Sequence, residues 1–182
     1  MKRLLIVLTL VAVACSPNKA FQDSTKPVPV AAVCPPMLTK FVQKTNPKLT
    51  QQEAEKIAAI IEKVSDEQGI DTILFAAVIR QESHFKNGIK ACHFVNNRRT
   101  CDYGIAQVNT FWVDEWELDA ARLRTDIEYN ITVAAKILKG VLDSKKGDKF
   151  AYSLYNSADP VARAQYQERI EKYKKLAQAL KV

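Results

Sequence analysis

Residues 71–85 read DTILFAAVIRQESHF, and the choice of fold turns on that stretch. Ile73 to Ile79 is an unbroken apolar run, with Asp71 in front of it as a helix cap. Such a run reads as a helix buried on all sides and reaching to about Ser83. A helix of that kind ordinarily closes on Gly, Lys or Arg, because cations suit the negative end of the helix dipole. This one closes on Glu82-Ser83. A carboxyl leaving an apolar helix is partly desolvated, which raises its pKa and keeps it protonated near neutrality. A general acid needs that property. Taken alone, though, a Glu at a helix end is more often an exposed residue touching only water.

On the N-terminal side, Thr50-Gln51-Gln52-Glu53 is a capping box. It opens a helix whose stripe is Ala54, Ile57, Ala58, Ile60, Ile61 and Val64, closed by Gly69. On the C-terminal side, Lys86 to Thr100 is polar and irregular. Thr125-Asp126-Ile127-Glu128 is a second capping box, with a helix running through Ile131, Ala134, Ala135, Ile137 and Leu138 to Gly140. A short helix is expected over about 149–155. Asp159-Pro160 then starts a last helix through Ile170 and Leu176. No run alternates as a strand should, so the domain is expected to be mainly α.

A chain of 182 residues, 47% hydrophobic and 26% charged, suits one folded domain with a sizeable core. Residues 1–14 stand apart from it. MKR is a basic leader and LLIVLTLVAVA an apolar run too short to span a membrane, so together they read as an export signal. Ala12-Val13-Ala14 offers a cleavage site just before Cys15. The same residues resemble a bacterial lipobox, with Ala12 where Leu is usual, and that resemblance implies lipidation of Cys15 and an outer-membrane address. The other outcome is a soluble exported protein with Cys15 bridged to Cys34. Residues 15–40, with most of the prolines, read as a tether and 41–182 as the domain. The net charge of +7 favours loose attraction to anionic envelope polymers or membrane surfaces, or simply solvated lysines. Nucleic acid is excluded as a partner, since the cations are spread along the chain and not massed in a stripe.

Two further stretches give Glu82 and its own IRQESHF, at 79–85, a context: DYGIAQVN at 102–109 and YSLYN at 152–156. In that order and spacing the three stretches resemble the three motifs of the lysozyme-like lytic transglycosylases, close to the small members that serve secretion and conjugation machines. DIEYNITVAAKIL, residues 126–138, is similar to that family's helix between the second and third motifs. The likeness covers roughly residues 50–175, and Ile105, Ala106, Ser153 and Leu154 depart from its pattern. It implies a lysozyme-like α-helical domain of the goose-type lysozyme and transglycosylase kind, with a central buried helix and a substrate cleft. It also implies peptidoglycan strands as substrate, cut at the β-1,4 bond between N-acetylmuramic acid and N-acetylglucosamine. Glu82 would protonate the glycosidic oxygen and then deprotonate the C6 hydroxyl, closing a 1,6-anhydro ring. Ser83, Gln107 and Asn109 would bind and orient the sugar, Tyr155 would stand near Glu82 and hold its geometry, and Asn156 would support that motif. No cofactor is called for, and a secretion or conjugation apparatus is the implied partner.

Asp102 opens a second reading, because DYGIAQVN also resembles the stretch of c-type lysozymes whose leading Asp is the second catalytic carboxylate. Facing the cleft, it would support hydrolysis with retention; otherwise it caps a turn ahead of Gly104. A third reading is a lysozyme-like module that grips glycan without cutting it. Cys92 and Cys101 close a short loop, CHFVNNRRTC, that a disulfide would pin in an oxidising compartment. His84 and His93 make no metal set with their neighbours. Phe111, Trp112 and Trp116 either stack on sugars or pack in the core. Arg98 and Arg99 either meet anionic peptide stems or are solvated.

Overall fold

The protein is described from a computed structural model covering residues 36–95 and 97–180. The export signal, most of the tether and the Cys15 lipidation site lie outside the described residues. The order of elements is α1 (Met37–Thr45), α2 (Gln51–Gln68), α3 (Thr72–Ser83), β1 (Lys90–Val95), β2 (Arg98–Tyr103), β3 (Val108–Asn109), α4 (Thr110–Glu115), α5 (Ala120–Thr125), α6 (Ile127–Ser144), a 3-10 turn (Ala151–Tyr155) and α7 (Pro160–Gln178). α1 begins inside the span assigned to the tether. The domain is mainly helical, as expected from the helical stripes. Among the described residues no helix is long and apolar enough to cross a membrane.

α3 runs through the middle of the core. Asp71 caps it by accepting a hydrogen bond from the Leu74 N–H at 2.7 Å, and Phe75 to Ile79 are fully buried. α2 covers one side, with its capping box formed and its apolar stripe buried. α7 packs along another side through Tyr166, Ile170 and Ala177, and the Arg80 guanidinium of α3 lies 4.5 Å from the centre of the Tyr173 ring. α3 stops because His84 and Phe85 both take left-handed backbone angles, which turn the chain sharply away. The Asn46 amide donates to the His84 carbonyl at 2.9 Å and holds that turn, while Phe85 packs edge-on against Phe41 in the core.

Two expectations need correction. The stretch from Lys86 to Thr100 is not irregular: β1 and β2 pair antiparallel, with Cys92 opposite Cys101, and β3 adds to β2. The alternation was absent because all six residues of β1 are exposed, so neither face needs to be apolar. Val95 pairs directly with Arg98 across a two-residue turn, where Asn97 takes the positive φ such turns require. The second correction concerns Thr125, which does not cap α6. Its hydroxyl donates to the Ala121 carbonyl as the end of α5. Asp126 closes α5 through its N–H and caps α6 by accepting from Tyr129.

Candidate active site

A cleft of about 510 Å³ opens where the end of α3 meets the β-sheet, the 3-10 turn and α4. Glu82 forms part of its floor, half-buried. Burial pushes the carboxyl up to about 7, with the charge of Asp102 adding to the push. The Tyr166 hydroxyl of α7 opposes it by donating to Glu82 Oε1 at 2.6 Å, and Arg169 opposes it more weakly. Desolvation wins because apolar α3 leaves the carboxyl little water to ionise into. With Oε1 taken by Tyr166, the titrating proton belongs on Oε2.

The sheet supplies the facing wall. Asp102 on β2 lines the cleft, accepting from the Asn109 amide at 2.7 Å. His93 Nδ1 of β1 lies 3.6 Å from its other oxygen. Asn109 is hydrogen-bonded at both ends, since its Oδ1 also caps α4 by accepting from the Phe111 N–H at 2.9 Å. It therefore positions Asp102 and α4. Gln107 also lines the cleft, in a left-handed conformation braced by its amide donating to the Gly104 carbonyl at 2.7 Å. Cys92 and Cys101 are joined in a disulfide that ties β1 to β2 beside this wall. The Thr110 hydroxyl brackets Cys101, accepting from its N–H and donating to its carbonyl.

Tyr155 and Asn156 close the remaining side. Burial pushes the Tyr155 hydroxyl well up, and the charge of Glu82, on the same cleft, pushes it further. The hydrogen bond of Tyr155 nonetheless goes to the Ala106 carbonyl at 2.9 Å, lacing the 3-10 turn to the turn after β2. Ser83 is the one expected site residue that does not line the cleft. It is buried, and its hydroxyl has no hydrogen-bond partner among the described residues. Phe111, Trp112 and Trp116 form one cluster, with ring centres 5.0 and 4.8 Å apart. Trp112 packs partly against the core, while Phe111 is exposed at the cleft mouth. Among the described residues no three His, Cys, Asp or Glu side chains gather as a metal site would require.

Residues 59–177 match the family model described as the transglycosylase SLT domain. The chain belongs to that family. The matched span starts within α2 and ends in the last turn of α7, so it takes in the floor, the wall and the 3-10 turn of the cleft. Membership makes this a transglycosylase-type domain, with peptidoglycan as the polymer it binds. A search among curated proteins returned no match.

Two residues of the SLT domain escaped the sequence reading. Tyr166 touches Glu82 from 84 positions away, on a helix where it reads as one more core aromatic between polar neighbours. Asn130 is fully buried in the apolar stripe of α6. Its amide donates to the carbonyls of Tyr103 and Leu123, and its oxygen accepts from the Ala106 N–H, all within 2.8–2.9 Å. It fixes the turn that carries Gly104 and Gln107. A polar residue amid Ile127, Ile131 and Ala134 was the available signal, since a buried amide is retained only when its partners are built in. Gly104, at φ +72°, sits so close to Leu123 and Asn130 that a Cβ would overlap both.

Proposed function

We propose that the SLT domain cuts the β-1,4 bond between N-acetylmuramic acid and N-acetylglucosamine as a lytic transglycosylase, with Glu82 as the single acid and base. The observation that carries this reading is the half-buried Glu82 carboxyl at the cleft floor, held by Tyr166 and pushed up to about 7 by burial. A group at that pKa holds its proton at neutral pH and still releases it readily, which suits both halves of the reaction. Glu82 Oε2 gives its proton to the glycosidic oxygen as the bond breaks. The substrate's own acetamido oxygen stabilises the charge left on C1. Glu82, now ionised, takes the proton of the C6 hydroxyl, whose oxygen closes on C1 as the 1,6-anhydro ring. Tyr166 keeps Oε1 fixed through both steps, and Gln107 and Asn156 contact the sugar.

One observation favours a second reading: Asp102 lines the same cleft, its carboxylate held between Asn109 and His93. It then stabilises C1 directly, and water completes a hydrolysis with retention. Mass spectrometry of fragments released from purified sacculi separates the two. Anhydro-ended fragments support the transglycosylase, fragments with water added support the muramidase, and no release at all leaves a glycan-binding module. We further propose, on the export signal and the lipobox-like residues before Cys15, a periplasmic protein anchored in the outer membrane through Cys15. Incorporation of a labelled fatty acid that Cys15→Ala abolishes is the expected result there.

A further inference from the structure

The cleft carries two carboxyl groups, Glu82 and Asp102, and no lysine or arginine lines it among the described residues. Its polymer is itself anionic: each muramoyl unit bears a lactyl group that ends either in a carboxylate or in a peptide stem with carboxylates of its own. A cation beside the cleft, outside the reacting pair of sugars, would attract such a chain. The adjacent arginines of β2 are the candidates, and the strand register distinguishes them.

Residues two apart on a strand, and residues directly opposite across a pair, share a face. Thr100 and Asp102 line the cleft, and so do His93, opposite Thr100 on β1, and Val95 two residues further along that strand. Arg98 is opposite Val95 and two residues before Thr100, so it stands on the cleft side of the hairpin, past the end of the enclosed part. Arg99 is opposite Phe94, on the other face. Both arginines are exposed, and neither has an acidic partner within 4 Å among the described residues. Arg98 lies about 13 Å along the strand from Asp102, at the ordinary rise per residue. That puts it beside a sugar substituent and away from the bond being broken. The disulfide one pair behind the His93–Thr100 pair holds the hairpin to that position.

We infer that Arg98, and not Arg99, reads the carboxylate borne by the muramoyl substituent of a sugar beyond the scissile bond. The inference rests on the proposed glycan-cutting function and assigns the specificity of that same cleft. A guanidinium suits the task because its forked donors meet a carboxylate in two parallel hydrogen bonds. The contact is made equally in ground and transition states, so its loss raises KM and leaves kcat unchanged.

Initial rates are to be measured on three soluble glycan strands: stem-bearing, amidase-stripped with free lactyl carboxylates, and stripped with those carboxylates amidated. Arg98→Ala is expected to raise KM about 3- to 5-fold on a charged strand, the size of an exposed ion pair, without touching the amidated one. Loss confined to stem-bearing strands assigns the stem carboxylates, loss confined to the stripped strands assigns the lactyl carboxylate, and loss on both shows that Arg98 takes whichever of the two the substituent carries. Raised salt shrinks the wild-type difference between charged and neutral strands. Arg98→Ala acting equally on all three strands, or on none, overturns the inference, as does an equal loss in Arg99→Ala. Arg169→Ala provides a contrast, since Arg169 acts on Glu82: it is expected to move the pH profile alike on every strand. If the wild type releases no fragments from any strand, the proposed function itself has failed; fragments without charge discrimination by Arg98 sink only this inference.

Discussion

The two sides of the cleft are built by opposite means. Its floor is the end of α3, a helix whose middle is completely buried and whose last turn is held by Tyr166 and Asn46 from other elements. Its wall is a hairpin whose first strand buries nothing, ordered by pairing, by the Cys92–Cys101 disulfide and by the Thr110 brackets. The core thus supplies desolvation where a carboxyl must keep its proton. The hairpin supplies hydrated polar groups where a long polymer must slide in and out. Substitutions on the floor should therefore alter chemistry, and substitutions on the wall should alter binding and local order.

The largest effect is expected at the floor. Glu82→Gln should cut fragment release about 10²–10⁴-fold while the domain stays folded. Its melting behaviour carries a second signature. The folded pKa of Glu82, about 7, lies above the ordinary carboxyl value of 4.5, so the unfolded chain gives up this proton first as pH rises. Wild-type stability should then fall between roughly pH 4.5 and 7 and level off above, by on the order of 2 kcal/mol for a half-buried group. The Gln variant has no such slope, and an identical slope in both proteins breaks the assignment. Next comes the seam between floor and wall. Gly104→Ala forces a side chain into Leu123 and Asn130 at a left-handed position, and a loss of about 3 kcal/mol is expected in denaturant unfolding.

At the wall, Cys92→Ser with Cys101→Ser should cost about 2 kcal/mol by releasing a short closed loop. Its sharper readout is kinetic: KM should rise while the pH profile of kcat stays in place, because Glu82 is held elsewhere. A shifted profile would show that floor and wall are not independent. The smallest effect belongs to Tyr166→Phe. It should cost about 1 kcal/mol and move the Glu82 limb of the profile upward in pH, since the lost hydrogen bond favours the ionised carboxyl. A downward or absent shift would contradict the account.

The helices that build the floor were legible in the sequence and the strands that build the wall were not, for the same physical reason. Burial imposes periodicity, so the stripes of α2, α3 and α6 and the caps at Thr50, Asp71 and Asp159 could be read from residue order alone. A hairpin exposed on β1 imposes none, and Lys86 to Thr100 looked irregular although its register is definite. The motif residues Glu82, Asp102, Gln107, Tyr155 and Asn156 do share one cleft. The bonds among them were less accessible. Tyr166 holds Glu82, the role expected for Tyr155, because tertiary packing brings α7 across α3 and no local pattern records that crossing. Asn109, expected to bind sugar, also donates to Asp102 and caps α4, contacts that no local pattern records.

The central claim is that α3 holds a desolvated carboxyl ready to act as both acid and base. Its most direct test is a carbon-13 NMR titration of the Glu82 side chain in the folded domain, assigned by comparison with Glu82→Gln. The account predicts a midpoint near 7. A midpoint at the ordinary carboxyl value of 4.5 would contradict it.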